Sequence, residues 1–231
     1  MDTNMQHRHL SADEVWKTSA GSRCYYSSMQ LIVATRNAHK TREIQRILGS
    51  KFNVRGLSDD DEIAGINESG KSFEENARLK AVAVSRQLPG LTIADDSGLE
   101  VDALGGAPGI HSARYAGASA RDNENIDKLL SELVKVGAKG DQRCARFRCV
   151  LALARGGEIL GTFDGIVKGK IAYEARGSRG FGYDPVFLPN GFDQTFGELA
   201  SAEKDRFSHR ACALKKLRAF LSPRTITTER N

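Results

Sequence analysis

The chain has 231 residues, of which 40% are hydrophobic and 27% charged. This composition excludes collagen, a disulfide-stabilised mini-protein and a wholly disordered chain, because enough apolar side chains are present to offset the entropy cost of folding. The net charge of +5 at pH 7 is dispersed along the chain rather than gathered in one stripe, which argues against a nucleic-acid partner. No apolar run approaches the ~20 residues of a membrane-spanning helix, so no membrane partner is expected.

The two ends of the chain read as tails around a single domain. Residues 1–28 are polar, mixed in charge and without the apolar stretch of a signal peptide, so we expect a disordered N-terminal extension. The working domain is expected over residues 29–221, and residues 222–231 form a polar C-terminal tail. Cysteine spacing matches neither a CxxC pair nor a zinc site, which predicts free thiols in a reducing compartment. The four cysteines are Cys24, Cys144, Cys149 and Cys212.

Strand and helix patterns alternate through the first half of the chain. The predicted elements, in order, are a strand over 31–34, a helix containing Ile44, Ile47 and Leu48, a strand over 52–57, a helix with Phe73, Ala77, Ala81 and Val84 on one face, and a buried strand over 91–94. Pro89-Gly90 ends the second helix. This order is typical of an open α/β sheet.

The second half is dominated by a hairpin pattern. The predicted elements are a helix containing Ile126, Leu129, Leu130 and Leu133, strands over 146–154 and 158–167, a strand over 185–188, and a closing helix containing Leu214, Leu217 and Leu221. Gly156-Gly157 supplies the two-residue turn between the hairpin strands. The sequence therefore predicts an α/β fold, with a mixed β-sheet, flanking helices and two lobes around a central active-site cleft.

The string from Gly65 to Ser72 matches the letters of a phosphate-binding P-loop, GxxxxGK[ST]. A P-loop follows a buried strand, whereas the acidic stretch 59–62 precedes this string and is unsuited to the centre of a parallel sheet. The favoured interpretation is that Ser72 caps the next helix, with Glu75 completing a capping box.

Two adjacent carboxylates, Asp95 and Asp96, follow the strand over 91–94. The end of a strand is where open α/β folds place ligands, and the paired negative charge needs a cation or a proton. Mg²⁺ suits this site because it often uses one or two carboxylates together with substrate phosphates. Glu75 is a candidate for a further carboxylate. The alternative is that the aspartates cap a turn with Ser97-Gly98.

Basic and aromatic side chains complete the candidate site. Lys40 follows the first strand, Lys204 lies near the closing helix, and Ser208 is placed to cap that helix before His209-Arg210. The block 180–185 offers two aromatic rings in a flexible loop, which suits stacking on a flat base. The competing interpretation is that these aromatics only pack the loop and that the basic groups are solvated.

Together these residues resemble the inosine triphosphate pyrophosphatase family (Ham1-like). The blocks that carry the resemblance are Ala34-Thr35-Arg36-Asn37 with Lys40, Ser72-Phe73-Glu74-Glu75-Asn76-Ala77 with Lys80, Ala94-Asp95-Asp96-Ser97-Gly98-Leu99, Gly105-Gly106-Ala107-Pro108-Gly109, Ser112-Ala113-Arg114-Tyr115, Phe181-Gly182-Tyr183-Asp184-Pro185 and Ser208-His209-Arg210. Their order and joint presence are more specific than any single motif. Arg36 stands where the family commonly has Gly, which adds a charge to the phosphate loop.

The resemblance implies an enzyme that hydrolyses ITP, dITP and XTP to the monophosphate and pyrophosphate with Mg²⁺, as a cytoplasmic homodimer. It implies that Asp96 is the proton acceptor and a metal ligand, with Glu75 and Asp95 as further metal candidates. The implied substrate-binding residues are Thr35, Arg36, Asn37, Ala38, His39, Lys40, Ser97, Phe181, Gly182, Tyr183, Asp184, Lys204, His209 and Arg210.

On this basis, Asp96 is expected to activate water for attack at the α-phosphorus, and pyrophosphate leaves against Lys40 and Lys204. Selectivity is expected at the purine 6-position, where a donor in the site accepts a keto group and rejects an amino group. The rival hypotheses are a P-loop ATPase or kinase that depends on Lys71, and a nucleotide sensor without turnover. The related Maf-type pyrophosphatases are a nearer alternative, against which the blocks 181–184 and 208–210 argue.

Overall fold

The computed structural model describes residues 28–58, 63 and 69–222. Within them the strands are β1 (Met29–Val33), β2 (Phe52–Gly56), β3 (Leu91–Val101), β4 (Cys144–Arg155), β5 (Glu158–Ile171) and β6 (Phe187–Pro189), and the α-helices are α1 (Ala38–Leu48), α2 (Phe73–Gln87), α3 (Asp122–Lys135), α4 (Ser201–Phe207) and α5 (His209–Leu221). Residues 1–27 and 223–231 of the predicted tails, the acidic stretch 59–62, and residues 65–68 of the P-loop-like string lie outside the described residues.

The strands form a mixed sheet in the order β2-β1-β3-β4-β5-β6. β1 pairs in parallel with β2 and β3, whereas β3-β4, β4-β5 and β5-β6 are antiparallel. The predicted mixed sheet with flanking helices is confirmed. Its parallel half comes from the strand-helix alternation in the first part of the chain, and its antiparallel half comes from the hairpin.

Strand β3 is longer than the apolar run that predicts it. It continues to Val101, so Asp95 and Asp96 lie inside the strand, and the prediction that they follow its end is wrong. The parallel pairing with β1 stops at Ile93, but the antiparallel pairing with β4 continues through Asp96 to Val101. Backbone hydrogen bonds do not require apolar side chains, so β4 carries the strand onward. The two carboxylates therefore lie where β3 loses one of its neighbours.

Alternation along β3 and β4 gives each face of the sheet its own helices. On one face, Ile93 and Leu151 lie in an apolar cluster with α1 and α5. On the other face, Ala94 and Ala152 pack against α2. A third cluster, around Leu99, contains α3 and β6. The long strands β3, β4 and β5 thus run from a first lobe, which contains α1, α2 and α5, into a second lobe, which contains α3 and β6. This confirms the predicted two-lobe arrangement.

Local sequence signals fix several element boundaries. The hairpin between β4 and β5 turns at Gly156 and Gly157, whose φ values of 58° and 89° are those that favour glycine. Ser72 caps α2, because its Oγ accepts from the amide of Glu75 at 3.1 Å. Glu75 does not complete the predicted capping box: its carboxylate accepts from the amide of Lys71 at 2.6 Å instead of that of Ser72.

Helix α5 lies unusually close to β5 because residue 165 has no side chain. A Cβ on Gly165 would overlap the carbonyl oxygen of His209 and lie 2.5 Å from the amide nitrogen of Ala213. The glycine therefore sets the position of the first turn of α5. Ser208 caps that turn, as predicted, with its Oγ accepting from the amide of Ala211 at 3.2 Å.

Smaller differences concern the region between the hairpin and α5. Asp184–Val186 forms a 3₁₀ turn, so β6 covers only Phe187–Pro189 instead of the predicted residues 185–188. Helix α4 was not predicted, since its seven residues are too few to show a helical period. Cys144, Cys149 and Cys212 are free thiols, and Cys24 lies outside the described residues. Among the helices described, none is long and apolar enough to cross a membrane.

Candidate active site

The loop between β1 and α1 is shaped by its own side chains. Thr35 Oγ1 accepts from the amide of Asn37 at 3.1 Å. Asn37 then caps α1, with its Oδ1 accepting from the amides of His39 and Lys40 at 2.9 and 3.2 Å. Arg36 Nη2 donates to the carbonyl of Ile63 at 3.4 Å. The loop therefore presents the positive end of the α1 dipole at the carboxyl end of β1, a place that favours anions.

Asp95 is the centre of a buried polar network on the α1 and α5 face. Its Oδ2 accepts from Arg210 Nε at 2.8 Å, and its Oδ1 accepts from Lys40 Nζ at 2.6 Å and from Ser97 Oγ at 2.8 Å. Cys149 Sγ lies 3.2 Å from Oδ2. Burial raises the pKa of Asp95, but the charges of Arg210 and Lys40 outweigh it and hold the pKa well below its ordinary value.

This network leaves Asp95 unsuited to the predicted role of metal ligand. Its side chain is 0% exposed, and both carboxylate oxygens are already bound by cationic or hydroxyl donors. The cations that neutralise it belong to the protein itself. Asp95 instead fixes the positions of Lys40, Ser97 and Arg210, three of the predicted substrate-binding residues.

Asp96 points to the opposite face, since successive side chains of a strand alternate. Its Oδ1 accepts from Lys80 Nζ at 2.7 Å, and the side chains of Asp96 and Lys80 are only 11% and 9% exposed. Lys80 lies on α2 in the middle of the helix. Each aspartate of the pair is thus neutralised by cations from a different helix.

Lys40 and Lys80 meet at the open edge of β3. The last backbone hydrogen bond between the β1 segment and β3 is donated by the Ala34 amide to the Ile93 carbonyl, at 2.7 Å. Two residues on, the Asp95 carbonyl accepts from Lys80 Nζ at 3.0 Å and from Lys40 Nζ at 3.5 Å. The two ammonium groups occupy the place of the missing strand and bring positive charge from both faces to one point. This point lies at the carboxyl ends of parallel strands, where α/β sheets bind ligands.

A cavity of about 140 Å³ extends from Lys40 into the second lobe, and Lys80 and Asp96 are not part of its lining. Ten of the predicted substrate-binding residues line it, namely Asn37, Lys40, Ser97, Phe181, Gly182, Tyr183, Asp184, Lys204, His209 and Arg210. We call it the nucleotide cavity. Thr35, Arg36 and Ala38 are not part of its lining, and His39 lines a neighbouring cavity.

The second-lobe end of the nucleotide cavity is aromatic and charged. The Lys204 ammonium and the Arg210 guanidinium lie 5.4 and 5.7 Å from the ring centre of Phe181. Asp184 Oδ2 accepts from Lys204 Nζ at 2.6 Å and from the Phe181 amide at 2.9 Å. Burial raises the pKa of Asp184 even though the ammonium of Lys204 opposes the shift. Asp184 therefore holds the Lys204 ammonium beside the Phe181 ring.

His209 is held neutral in this environment. Burial lowers its pKa well below the ordinary value, and the charges of Arg210 and Lys204 lower it further. Its ring stacks on Phe147, with centroids 4.8 Å apart and planes 15° apart. His209 therefore offers a flat, uncharged surface rather than a cation.

Several residues of this site were missed by the sequence analysis. Glu43 is buried and accepts from Arg210 Nη1 at 2.9 Å, and Lys80 binds Asp96. Ser112, Asp122 and Asn125 line the nucleotide cavity. Two signals were available: Lys80 belonged to a block of the family resemblance, and Glu43 follows Lys40 by about one turn of α1. Ser112 likewise belonged to a block of the resemblance, whereas Asp122 and Asn125 carried no sequence signal.

The carboxylates near Lys80 offer hard oxygen atoms to a metal ion. Among the described residues there is no group of three or more His, Cys, Asp or Glu side chains that could hold a metal alone. Asp96 supplies hard oxygen, and Glu75 lies exposed in the first turn of α2, with Oε2 engaged by the Lys71 amide. One or two carboxylates fit Mg²⁺, which completes its shell with water and phosphate oxygens, better than they fit Ca²⁺ or Zn²⁺.

Comparisons with known proteins agree with this geometry. The model of the Ham1 family matches residues 31–220. Proteins named dITP/XTP pyrophosphatase from Bacillus licheniformis and Bacillus subtilis are each 49% identical over 193 residues, covering 83% of this chain and 97% and 96% of their own. A solved HAM1 protein from Coxiella burnetii is 36% identical with a TM-score of 0.75, covering 84% of this chain and 98% of its own. The Ham1 protein of Staphylococcus aureus is 40% identical with a TM-score of 0.72, covering 83% and 97%.

Proposed function

Because the chain belongs to the Ham1 family, we propose that its nucleotide cavity binds a purine nucleoside triphosphate for cleavage beside Asp96. The protein is a nucleoside-triphosphate pyrophosphatase, and it hydrolyses deaminated purine nucleotides such as ITP, dITP and XTP to the monophosphate and pyrophosphate. The observation that carries the assignment of the site is the convergence of Lys40 and Lys80 on the Asp95 carbonyl, at 3.5 and 3.0 Å, next to the buried Asp96.

The phosphates are proposed to lie between the α1 loop and the open edge of β3. Lys40 and Lys80 bring two positive charges there, and the N-terminus of α1 adds its dipole. Lys204, expected to receive the leaving pyrophosphate, lies instead at the aromatic end, bound to Asp184 beside Phe181. We therefore assign pyrophosphate departure to Lys40 and Lys80, and base recognition to Lys204.

Asp96 is proposed to accept the proton of the attacking water and to ligate Mg²⁺. Lys80, 2.7 Å away, stabilises the negative charge that both roles require. When bound, the ion would offset phosphate charge and lower the pKa of a bound water, which makes transfer of the water proton to a carboxylate easier. Glu75 is the second proposed ligand. A Glu75→Gln variant should then raise the Mg²⁺ concentration needed for half-maximal activity; an unchanged requirement removes Glu75 from the set.

Base selectivity is proposed to depend on Lys204 and Arg210 beside the Phe181 ring. A flat base stacks on Phe181, and these two side chains are hydrogen-bond donors without acceptor capacity. They suit the keto oxygen at the 6-position of hypoxanthine and xanthine. An adenine amino group would leave the donors unsatisfied, so ATP should be a poor substrate.

Product analysis tests the proposed reaction directly. ITP, dITP, XTP, GTP and ATP should be incubated separately with the protein and Mg²⁺, and the phosphorus products resolved by NMR. The expected result is pyrophosphate with the monophosphate from the first three, with little turnover of ATP. Equal turnover of ATP and ITP would contradict the selectivity.

The Lys71→Ala variant and the presence or absence of product separate the rival hypotheses. A P-loop enzyme would release inorganic phosphate and lose activity in Lys71→Ala. Lys71 is exposed outside the nucleotide cavity, so that variant should keep its activity. A nucleotide sensor would bind ITP without forming any product.

Assembly, boundaries and location are further proposals. A homodimer is proposed, and exposed apolar side chains such as Val134 and Tyr173, 75% and 68% exposed, offer contact area. Light scattering should give twice the 25.2 kDa chain mass; a monomer would reject the dimer.

Residues 29–221 are proposed to suffice for activity, as the match over residues 31–220 supports, so removal of residues 1–28 and 222–231 should leave kcat/KM unchanged. A cytoplasmic location is proposed, because the nucleotide pool on which the enzyme acts is found there.

A further inference from the structure

A second cavity, of about 190 Å³, adjoins the nucleotide cavity and shares Phe181 and Lys204 with it. The His39 ring contacts the Phe181 ring from this side in a tilted arrangement, with centroids 5.6 Å apart and planes 34° apart. We call it the basic cavity because of its other charged side chains. Besides Lys204 and His39, it is lined by Arg42, Arg46 and Arg179, with Glu43 as its acidic member.

The arginines of the basic cavity are not all neutralised. Arg46 forms a two-pronged ion pair with Asp205, at 2.8 and 3.2 Å. Arg42 donates to His39 Nδ1 at 3.4 Å, and Arg179 donates to the carbonyl of Glu198 at 2.6 Å. In the described part of the chain, neither Arg42 nor Arg179 lies within ion-pair distance of a carboxylate. Two guanidinium groups therefore remain available for an anion.

Glu43 adds a hydrogen-bond acceptor to this basic surface. The residue is 3% exposed, and its Oε2 accepts from Arg210 Nη1 at 2.9 Å. Its Oε1 lies 3.7 Å from Lys204 Nζ and accepts no hydrogen bond from the described residues. A buried carboxylate oxygen without a donor is costly, and a ligand that brings a donor relieves that cost.

We propose that the basic cavity binds a phosphate oxyanion that carries a proton. Arg42 and Arg179 donate to its oxygens, as guanidinium groups do in phosphate sites. The P–OH group donates to Glu43 Oε1. Near neutral pH inorganic phosphate and pyrophosphate retain such a proton and sulfate does not, so the carboxylate opposes sulfate. This site is distinct from the nucleotide cavity, and the assignment does not rest on the proposed reaction.

Calorimetry with the full-length protein tests the proposal. Inorganic phosphate is titrated after the nucleotide cavity has been saturated with a non-hydrolysable α,β-imido analogue of ITP, without metal. Phosphate should still bind, and sulfate at matched ionic strength should bind at least ~10-fold more weakly because it cannot satisfy Glu43. Arg42→Gln and Arg179→Gln should each weaken phosphate binding roughly 10-fold. Arg218→Gln, an exposed arginine on α5 outside both cavities, is the matched control and should bind as wild type.

Three outcomes overturn the proposal: displacement of phosphate by the analogue, equal affinity for sulfate, or unchanged binding in both cavity variants. Pyrophosphate in the same titration separates the two sources of the ligand. Tighter binding of pyrophosphate identifies the reaction product as the occupant, and tighter binding of phosphate identifies free phosphate. If the analogue itself does not bind, the proposed nucleotide site fails, whereas the arginine variants still decide the fate of the basic cavity.

Discussion

Asp95 and Asp96 are neighbours in the chain, yet their carboxylates are bound on opposite faces of the sheet, Asp95 by Arg210 at 2.8 Å and Asp96 by Lys80 at 2.7 Å. The pair is therefore two separate sites that share one stretch of backbone. Asp95 joins α1 and α5 to the strand, whereas Asp96 faces α2 beside the open edge. Because the two carboxylates have different partners, we expect their substitutions to have different effects on activity and stability.

The first prediction concerns the paired variants Asp95→Asn and Asp96→Asn. Asp96→Asn should reduce kcat for ITP about 10²–10⁴-fold, because the proton acceptor is lost. Its amide still accepts from Lys80, so the free energy of unfolding should fall by only about 1–2 kcal/mol. Asp95→Asn should lower it by about 3–5 kcal/mol, because the fully buried Arg210 loses one of its two carboxylates.

Urea denaturation and steady-state kinetics measure both effects. Asp95→Asn serves as the control for Asp96→Asn, since both remove one negative charge from the same strand. Wild-type kcat in Asp96→Asn would exclude Asp96 as the base. A greater loss of stability in Asp96→Asn than in Asp95→Asn would contradict the assignment of the larger structural role to Asp95.

The elements that sequence predicted are those with local causes. The hairpin at Gly156-Gly157 and the caps at Ser72 and Ser208 depend on residues within one turn of each other. The continuation of β3 past Ala94 depends on pairing with β4, some 50 residues away, and no local pattern reports it.

The same reasoning separates the predicted from the unpredicted parts of the site. Adjacent carboxylates indicated charge at this place, but only the strand register shows that they face opposite helices. The pairing of Glu43 with Arg210 joins residues 167 positions apart. Such a contact follows from how α1 packs near α5, which hydrophobic periodicity alone does not determine.

The second prediction is acid destabilisation through Asp95. Its pKa in the folded protein lies well below the ordinary value, as Arg210 and Lys40 outweigh the effect of burial. At pH values between the pKa of Asp95 in the folded protein and its pKa in the unfolded chain, the Asp95 carboxyl is protonated only in the unfolded chain. The free energy of unfolding therefore rises with pH in that range. The contribution of Asp95 is thus fully present above about pH 4 and is lost as the pH falls further. Asp95→Asn should flatten the plot of unfolding free energy against pH below pH ~4; a curve parallel to wild type would contradict this.

The third prediction concerns His209. Its pKa in the folded protein lies well below the ordinary value because of burial and the charges of Arg210 and Lys204. As the pH falls below about 6.5, the unfolded chain takes up a proton that the folded protein refuses, so stability falls with pH. His209→Gln should remove this slope between about pH 6.5 and 5, as measured by urea unfolding at several pH values. An unchanged slope would mean that His209 titrates alike in both states.

The last prediction links a packing detail to substrate binding. A Cβ in Gly165→Ala would overlap the His209 carbonyl and crowd the Ala213 amide, both of which are backbone groups. Helix α5 must shift, at a cost of about 1–3 kcal/mol. The shift moves His209 and Arg210, so KM for ITP should rise severalfold more than kcat falls. Gly191→Ala is the control: its φ of 86° is strained for alanine, but nothing lies within 4 Å of the added carbon. That variant should lose about 1 kcal/mol and keep the wild-type KM. Equal changes of KM in the two variants would show that α5 does not transmit the packing of Gly165 to the site.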